Sequence, residues 1–136
     1  MRARDALGRP VPEGSEAAVE PEPEVALPPG AALARARELL AEGRAFAAHE
    51  VCEAAWKAAV PAERPLWQGL AQICVGLTHL QRGNPAGMTR LLQRGAGTLE
   101  EYTGSAYDAA GLARRARRAA EAGAMDFAAA RDAVCL

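Results

Sequence analysis

"LWQGLAQICVGLTHLQRGNP", residues 66–85, decides how this chain folds. Leu66, Leu70, Ile73, Leu77 and Leu80 recur at the three- and four-residue spacing of a helix and occupy most of its circumference. A helix so apolar over most of its surface is expected at the centre of its domain. Its one polar stripe carries Arg64, Gln68, Gln72 and His79 beside Val75, with Gly69 and Gly76 on its flanks. Glycines there allow close approach by another backbone or by a ligand. The closing "GNP" is a boundary signal: Gly83 stops one helix, Asn84 caps the next and Pro85 takes its first position.

Working outward, "AHEVCEAAW", residues 48–56, lies in a preceding helix expected over 45–59, which ends before Pro61. At 100° per residue His49, Glu53 and Trp56 share a stripe with Phe46, Cys52 and Val60, and Glu50 sits off it near Lys57. His49 and Glu53 are an i,i+4 pair, so their side chains are neighbours. Two ionisable groups thus interrupt an apolar face. If this helix and the central one, expected over 63–82, pair antiparallel, the two polar stripes meet. Both histidines of the chain then lie together with Glu53, Arg64 and the two glutamines, and Glu53 is expected to pair with Arg64 or a protonated histidine. The competing reading is that these residues form the solvated side of ordinary amphipathic helices.

Further helices are expected over 31–42, 85–102, 108–122 and 126–134, with Gly43 and Gly123 as stops. Gly43, Gly83 and Gly123 recur every 40 residues, as three helical hairpins of similar length would require. The period differs from that of tetratricopeptide-type scaffolds, and little beyond the glycines repeats. Residues 1–29 include "PVPEGSEAAVEPEPEVALPPG", rich in Pro and Glu and lacking hydrophobic periodicity. That composition predicts a disordered acidic tail. The expected architecture is therefore all-α: a compact bundle of five to six helices in antiparallel hairpins over residues 30–136, behind a tail over 1–29.

Composition narrows the function classes. The 136 residues are 50% hydrophobic and only 4% aromatic, so Leu, Ala, Val and Ile must build the core. A net charge of −1 lacks the basic excess of a typical nucleic-acid binder. Arg114, Arg115, Arg117 and Arg118 cluster, but they spread over a wide arc of one helix with no interleaved aromatic, which reads as solvated surface. Cys52, Cys74 and Cys135 form no CxxC pair, which suggests reduced thiols and a cytoplasmic setting. No apolar run reaches the roughly 18–20 residues that span a bilayer, so no membrane partner is expected.

The run "FAAHEVCEAAW" followed by "ERPLWQGLAQICVGLTHLQRGNPAGMTRLLQRG" resembles the family known as domain of unknown function 309. The resemblance rests on His49, Glu50, Glu53 and Trp56, then Arg64, Gln68 and Gln72, then His79, Gly83 and Asn84, and covers about residues 30–103. It implies a small helical bundle whose polar residues are a family hallmark, and it implies no activity. The expected function is that of a non-enzymatic binding protein whose site for a small polar ligand or a protein partner comprises His49, Glu50, Glu53, Trp56, Arg64, Gln68, Gln72, His79 and Asn84. The alternative is a metal-dependent hydrolase with a divalent metal on His49, Glu53 and His79, three ligands and a water being the pattern of hydrolytic zinc. "HEVCE" departs from a zincin helix, with Glu where the second His would stand. Trp56 and Trp67 are expected as core anchors.

Overall fold

The computed structural model describes residues 3–23, 25–123 and 125–136. Among them the chain forms α1 (Pro29–Ala41), α2 (Ala45–Ala58), a single 3₁₀ turn at Pro61–Glu63, α3 (Arg64–Gln81), α4 (Pro85–Leu99), α5 (Ala109–Ala122) and α6 (Phe127–Val134), with no named strand. The all-α bundle expected from the sequence is what forms.

Local chemistry sets the boundaries. Gly43, Gly83 and Gly123 follow α1, α3 and α5 with φ near +78°, a conformation that ends a helix and that glycine adopts without penalty. The next helix of each hairpin starts nearby: the side chains of Asn84 and Asp126 cap α4 and α6 by accepting from Gly87 N and Ala129 N. The end of α2 lies at Ala58, not at residue 59, because Pro61 forces Val60 into extended backbone (ψ 152°). Val60 accordingly leaves the apolar stripe on which the helix period placed it and is 62% exposed.

Helix α3 is central, packed between α2 and α4 and also touched by α6. Its Leu70, Ile73, Cys74 and Leu77 are completely buried. The two glycines that flank its polar stripe receive α4, not a ligand. A Cβ added at Gly69 would lie 2.6 Å from Leu99 Cγ and 3.3 Å from Gly95 O, and one at Gly95 would lie 3.0 Å from Ile73 Cδ1. The α3–α4 contact is therefore a backbone-close crossing that hydrogen-sized side chains permit. The buried residues of α2 are mostly small: Ala45, Ala47, Ala48, Cys52 and Ala55, with Val51. The Cys74 thiol lies against that of Cys52, and their hydrogen bond, with burial, holds Cys74 well above the usual thiol range. Such thiols act as small core groups. Trp67 is buried in this core and Trp56 packs half-buried against it.

Residues 3–23 contain no helix, as their composition dictates, but they lie against the bundle. Backbone bridges join Arg4 to Pro10 and Asp5 to Ala18. Arg82 Nε donates to Leu7 O at 2.9 Å, Arg44 to Glu20 O at 3.0 Å, and Arg35 pairs with Glu22 at 2.7 Å.

Replacing Gly69 by Ala should destabilise the fold by about 1–3 kcal/mol in urea unfolding, the usual range for overpacking a core. Gly97→Ala on the same α4, where an added Cβ meets nothing within 4 Å, should instead stabilise by up to about 1 kcal/mol. Equal effects at the two positions would contradict the close crossing.

Candidate functional site

The antiparallel α2–α3 pair places His49, from the second turn of α2, beside the last turns of α3. His49 and His79 line one cavity of about 200 Å³ with Phe46, Val75, Thr78 and Arg82. Its walls are apolar at Phe46 and Val75 and cationic at Arg82. The Thr78 hydroxyl donates to Cys74 O at 2.8 Å, which occupies its proton.

Each imidazole has one nitrogen engaged. His49 Nε2 lies 3.3 Å from Glu53 Oε2, and Lys57 Nζ reaches the other carboxylate oxygen at 3.5 Å. His49 Nδ1 is buried and has no hydrogen-bond partner. With Nε2–H directed to a carboxylate, that Nδ1 is a bare acceptor. His79 Nδ1 lies 3.2 Å from Asn84 Nδ2. Because Asn84 Oδ1 accepts from Gly87 N, the amide nitrogen faces the ring and donates, so His79 carries its proton on Nε2. Gly87 is required here, since a Cβ would fall 2.7 Å from His79 Cγ. Burial holds His49 below the ordinary imidazole range; Glu53 opposes this and Lys57 adds to it. His79 is also lowered, by burial and then by Arg90 and Arg82. Both rings are thus neutral near pH 7.

The remaining residues of the expected constellation divide into two other places. Glu50 and Glu53 border a groove with Glu22, Pro23, Ala54 and Lys57 on the side facing the N-terminal segment. Burial raises the Glu50 carboxyl, Glu22 and Glu53 add to this, and Arg4 and Arg44 oppose it. Arg64 and Gln68 are exposed, so the solvated-face reading describes that end of the stripe, and Glu53 pairs with His49 and Lys57, not with Arg64. Gln72 is half-buried, with Oε1 buried and unpartnered. Trp56 does not line the histidine cavity.

Three metal-ligating side chains do not converge anywhere among the described residues. His49 and His79 share the cavity, but Glu53 is outside its lining, so the donor set for a divalent metal does not fit. Arg82 is the residue of the cavity lining that carries a charge and that the helix period did not single out. Its signal was weak: a cation one turn beyond His79, in a stretch already read as the helix end.

The family model described as "Domain of unknown function (DUF309)" matches residues 33–91. Over this part the chain is similar to the DUF309 family. The matched span contains most of α1, all of α2 and α3 and the start of α4, hence the whole histidine cavity, and is narrower than the 30–103 suggested by the resemblance. No curated protein and no solved structure matches the chain. No described helix of the chain is long and apolar enough to cross a membrane.

The lowered imidazoles give stability a sign. The unfolded chain takes up protons at His49 and His79 more readily than the folded one, so stability is complete above the ordinary imidazole value and falls as pH drops below it. The raised Glu50 acts oppositely: its folded form takes the proton first, so stability is regained as pH falls through that carboxyl's raised value. The urea midpoint should therefore fall between about pH 7.5 and pH 5.5, around the ordinary imidazole value. His49→Gln should flatten that fall, and an unchanged slope in the variant would contradict the assignment.

Proposed function

We propose that this protein is a non-enzymatic binding protein, and that the cavity between α2 and α3 takes a small anion that also carries a hydroxyl, such as a phosphate monoester or a hydroxy acid. The observation that carries this reading is the buried, unpartnered Nδ1 of His49 in a ring that lines the same cavity as His79 and Arg82. A buried polar atom without a partner costs about 1–3 kcal/mol, and a ligand that supplies the partner recovers it. His49 Nδ1 asks for a donor, the Nε2–H of His79 asks for an acceptor, and Arg82 asks for negative charge. Phe46 and Val75 then exclude water from those polar bonds. A volume of about 200 Å³ suits a ligand of a few heavy atoms rather than a cofactor, since cofactor pockets are typically larger.

Neither the nearest thiol nor the nearest hydroxyl is placed to act as a nucleophile in the cavity. The thiol of Cys52 is fully buried in the α2–α3 seam, and the Thr78 hydroxyl is bonded to its own helix. Neutral imidazoles that donate at one position and accept at another can recognise a ligand through both kinds of hydrogen bond.

The test is side-chain ¹⁵N NMR of the two histidines during titration with inorganic phosphate at pH 7.5. Both imidazoles should shift saturably and together, and Arg82→Gln should weaken the affinity about tenfold or more, as loss of a charge-assisted contact does. Phosphate and lactate both failing to move either ring would overturn the proposal.

A further inference from the structure

Two of the side chains that wall the histidine cavity are held by a part of the chain outside it. Phe46 and Arg82 line the cavity, and both also meet the turn at residues 4–9. Arg82 Nε donates to Leu7 O at 2.9 Å. The Arg82 guanidinium lies over the Phe46 ring at 5.6 Å, and that of Arg4 lies over the same ring at 5.0 Å. Gly8 is buried against this ring, so closely that an added Cβ would overlap it. The turn holds its own shape. Asp5 Oδ1 accepts from Leu7 N at 3.0 Å and from Arg9 N at 2.8 Å, Gly8 N donates to Asp5 O, and Arg4 Nη1 donates to Gly8 O. Gly8 supplies the φ of +79° that the turn needs.

Arg82 has reason to need such a hold. It stands just past the end of α3 and is exposed, and a long side chain in that position has many rotamers to lose when a ligand engages it. The bond to Leu7 O and the ring of Phe46 restrict those rotamers in advance. Because the bond uses Nε, both Nη groups stay available to an anion. The turn itself is attached lightly. No residue before Ala32 belongs to the buried hydrophobic core, and the connection to α1 is open to solvent, with Val25 80% exposed. An element outside the core opens more easily than the core helices, so a ligand that favours its docked state shifts that equilibrium.

We propose that the turn at residues 4–9 is a positioning strap for the anion site: it fixes the Arg82 guanidinium against Phe46 at the cavity wall, and a bound anion tightens the strap in return. The inference rests on the small-anion reading of that cavity and adds an element that the reading leaves out. The coupling is reciprocal by linkage, since strap and anion favour the same placement of Arg82. Neither the strap nor its loss alters the helical core.

Inorganic phosphate is the probe, used on the full chain at pH 7.5 and matched ionic strength. In wild type, phosphate should raise the hydrogen-exchange protection of the amides of Asp5, Gly8 and Val11, whose acceptors are Arg9 O, Asp5 O and Ala3 O. Arg82→Gln should abolish that rise. Gly8→Ala, which both strains the turn and overlaps the ring, should keep the helical circular dichroism and weaken phosphate binding at least fivefold, read from the ¹⁵N shifts of the two histidines. Asp5→Ala unshapes the turn from a position outside the cavity lining and should give the same direction of change. Histidine shifts with equal phosphate affinity in wild type and both variants would overturn the strap and leave the small-anion reading standing. Tighter binding in the variants would also overturn it, because the turn would then compete for Arg82. Wild-type protection that phosphate does not raise, while the histidines do shift, would overturn it without recourse to any variant. Histidines that phosphate moves in no form of the protein would remove the small-anion reading and the strap together.

Discussion

The close approach of α2 to α3 is the constraint on which the rest of the molecule depends. Cys52 of α2 meets Cys74 of α3 across it, and the other buried residues of α2 are mostly alanines, Ala45, Ala47, Ala48 and Ala55. Larger side chains would hold the helices apart. Because the seam is narrow, a residue on its margin in α2 lies within reach of one on the margin of α3, and so His49 and His79 come to share a cavity from positions 30 residues apart. The same logic operates on the opposite side of α3, where Gly69 and Gly95 admit α4. A central helix gripped on two sides by small residues gives a rigid frame, and rigid elements position polar groups better than loops do.

On that frame the polar residues separate by task. The Asn84 side chain caps α4 and also fixes the tautomer of His79, so one residue joins a helix start to a cavity wall. Glu53 fixes His49 in the same manner from one turn away. Among the described residues four buried side-chain atoms remain without a partner: Arg44 Nε, His49 Nδ1, Gln72 Oε1 and Gln81 Oε1. Each marks a place where the chain alone does not complete its own hydrogen bonding. Phe46 borders the cavities at the first two, with an arginine over each of two approaches to its ring.

Much of the fold was legible in the sequence because its signals are local. Gly43, Gly83, Asn84 and Pro61 act within one or two residues of where they stand, and a 3.6-residue period needs no knowledge of the neighbours. The meeting of His49 with His79 was legible for a related reason: a short connection makes consecutive helices antiparallel, which fixes the ends that face each other. Arg64 and Gln68 read the same way on the helical period yet lie open to solvent. The period gives a residue's side of a helix but not how far a neighbour covers that side. The segment over residues 3–23 illustrates the opposite limit. Its bonds to Arg44 and Arg82 join backbone carbonyls to side chains 24 and 75 residues away, and such contacts leave no periodic trace.

The central claim is that one imidazole from α2 and one from α3 face a common sheltered space. Nuclear Overhauser contacts from the His49 ring protons test it most directly. The account predicts cross-peaks to the Val75 methyls, to Thr78 and to the His79 ring. A His49 ring with contacts only inside α2 would contradict it.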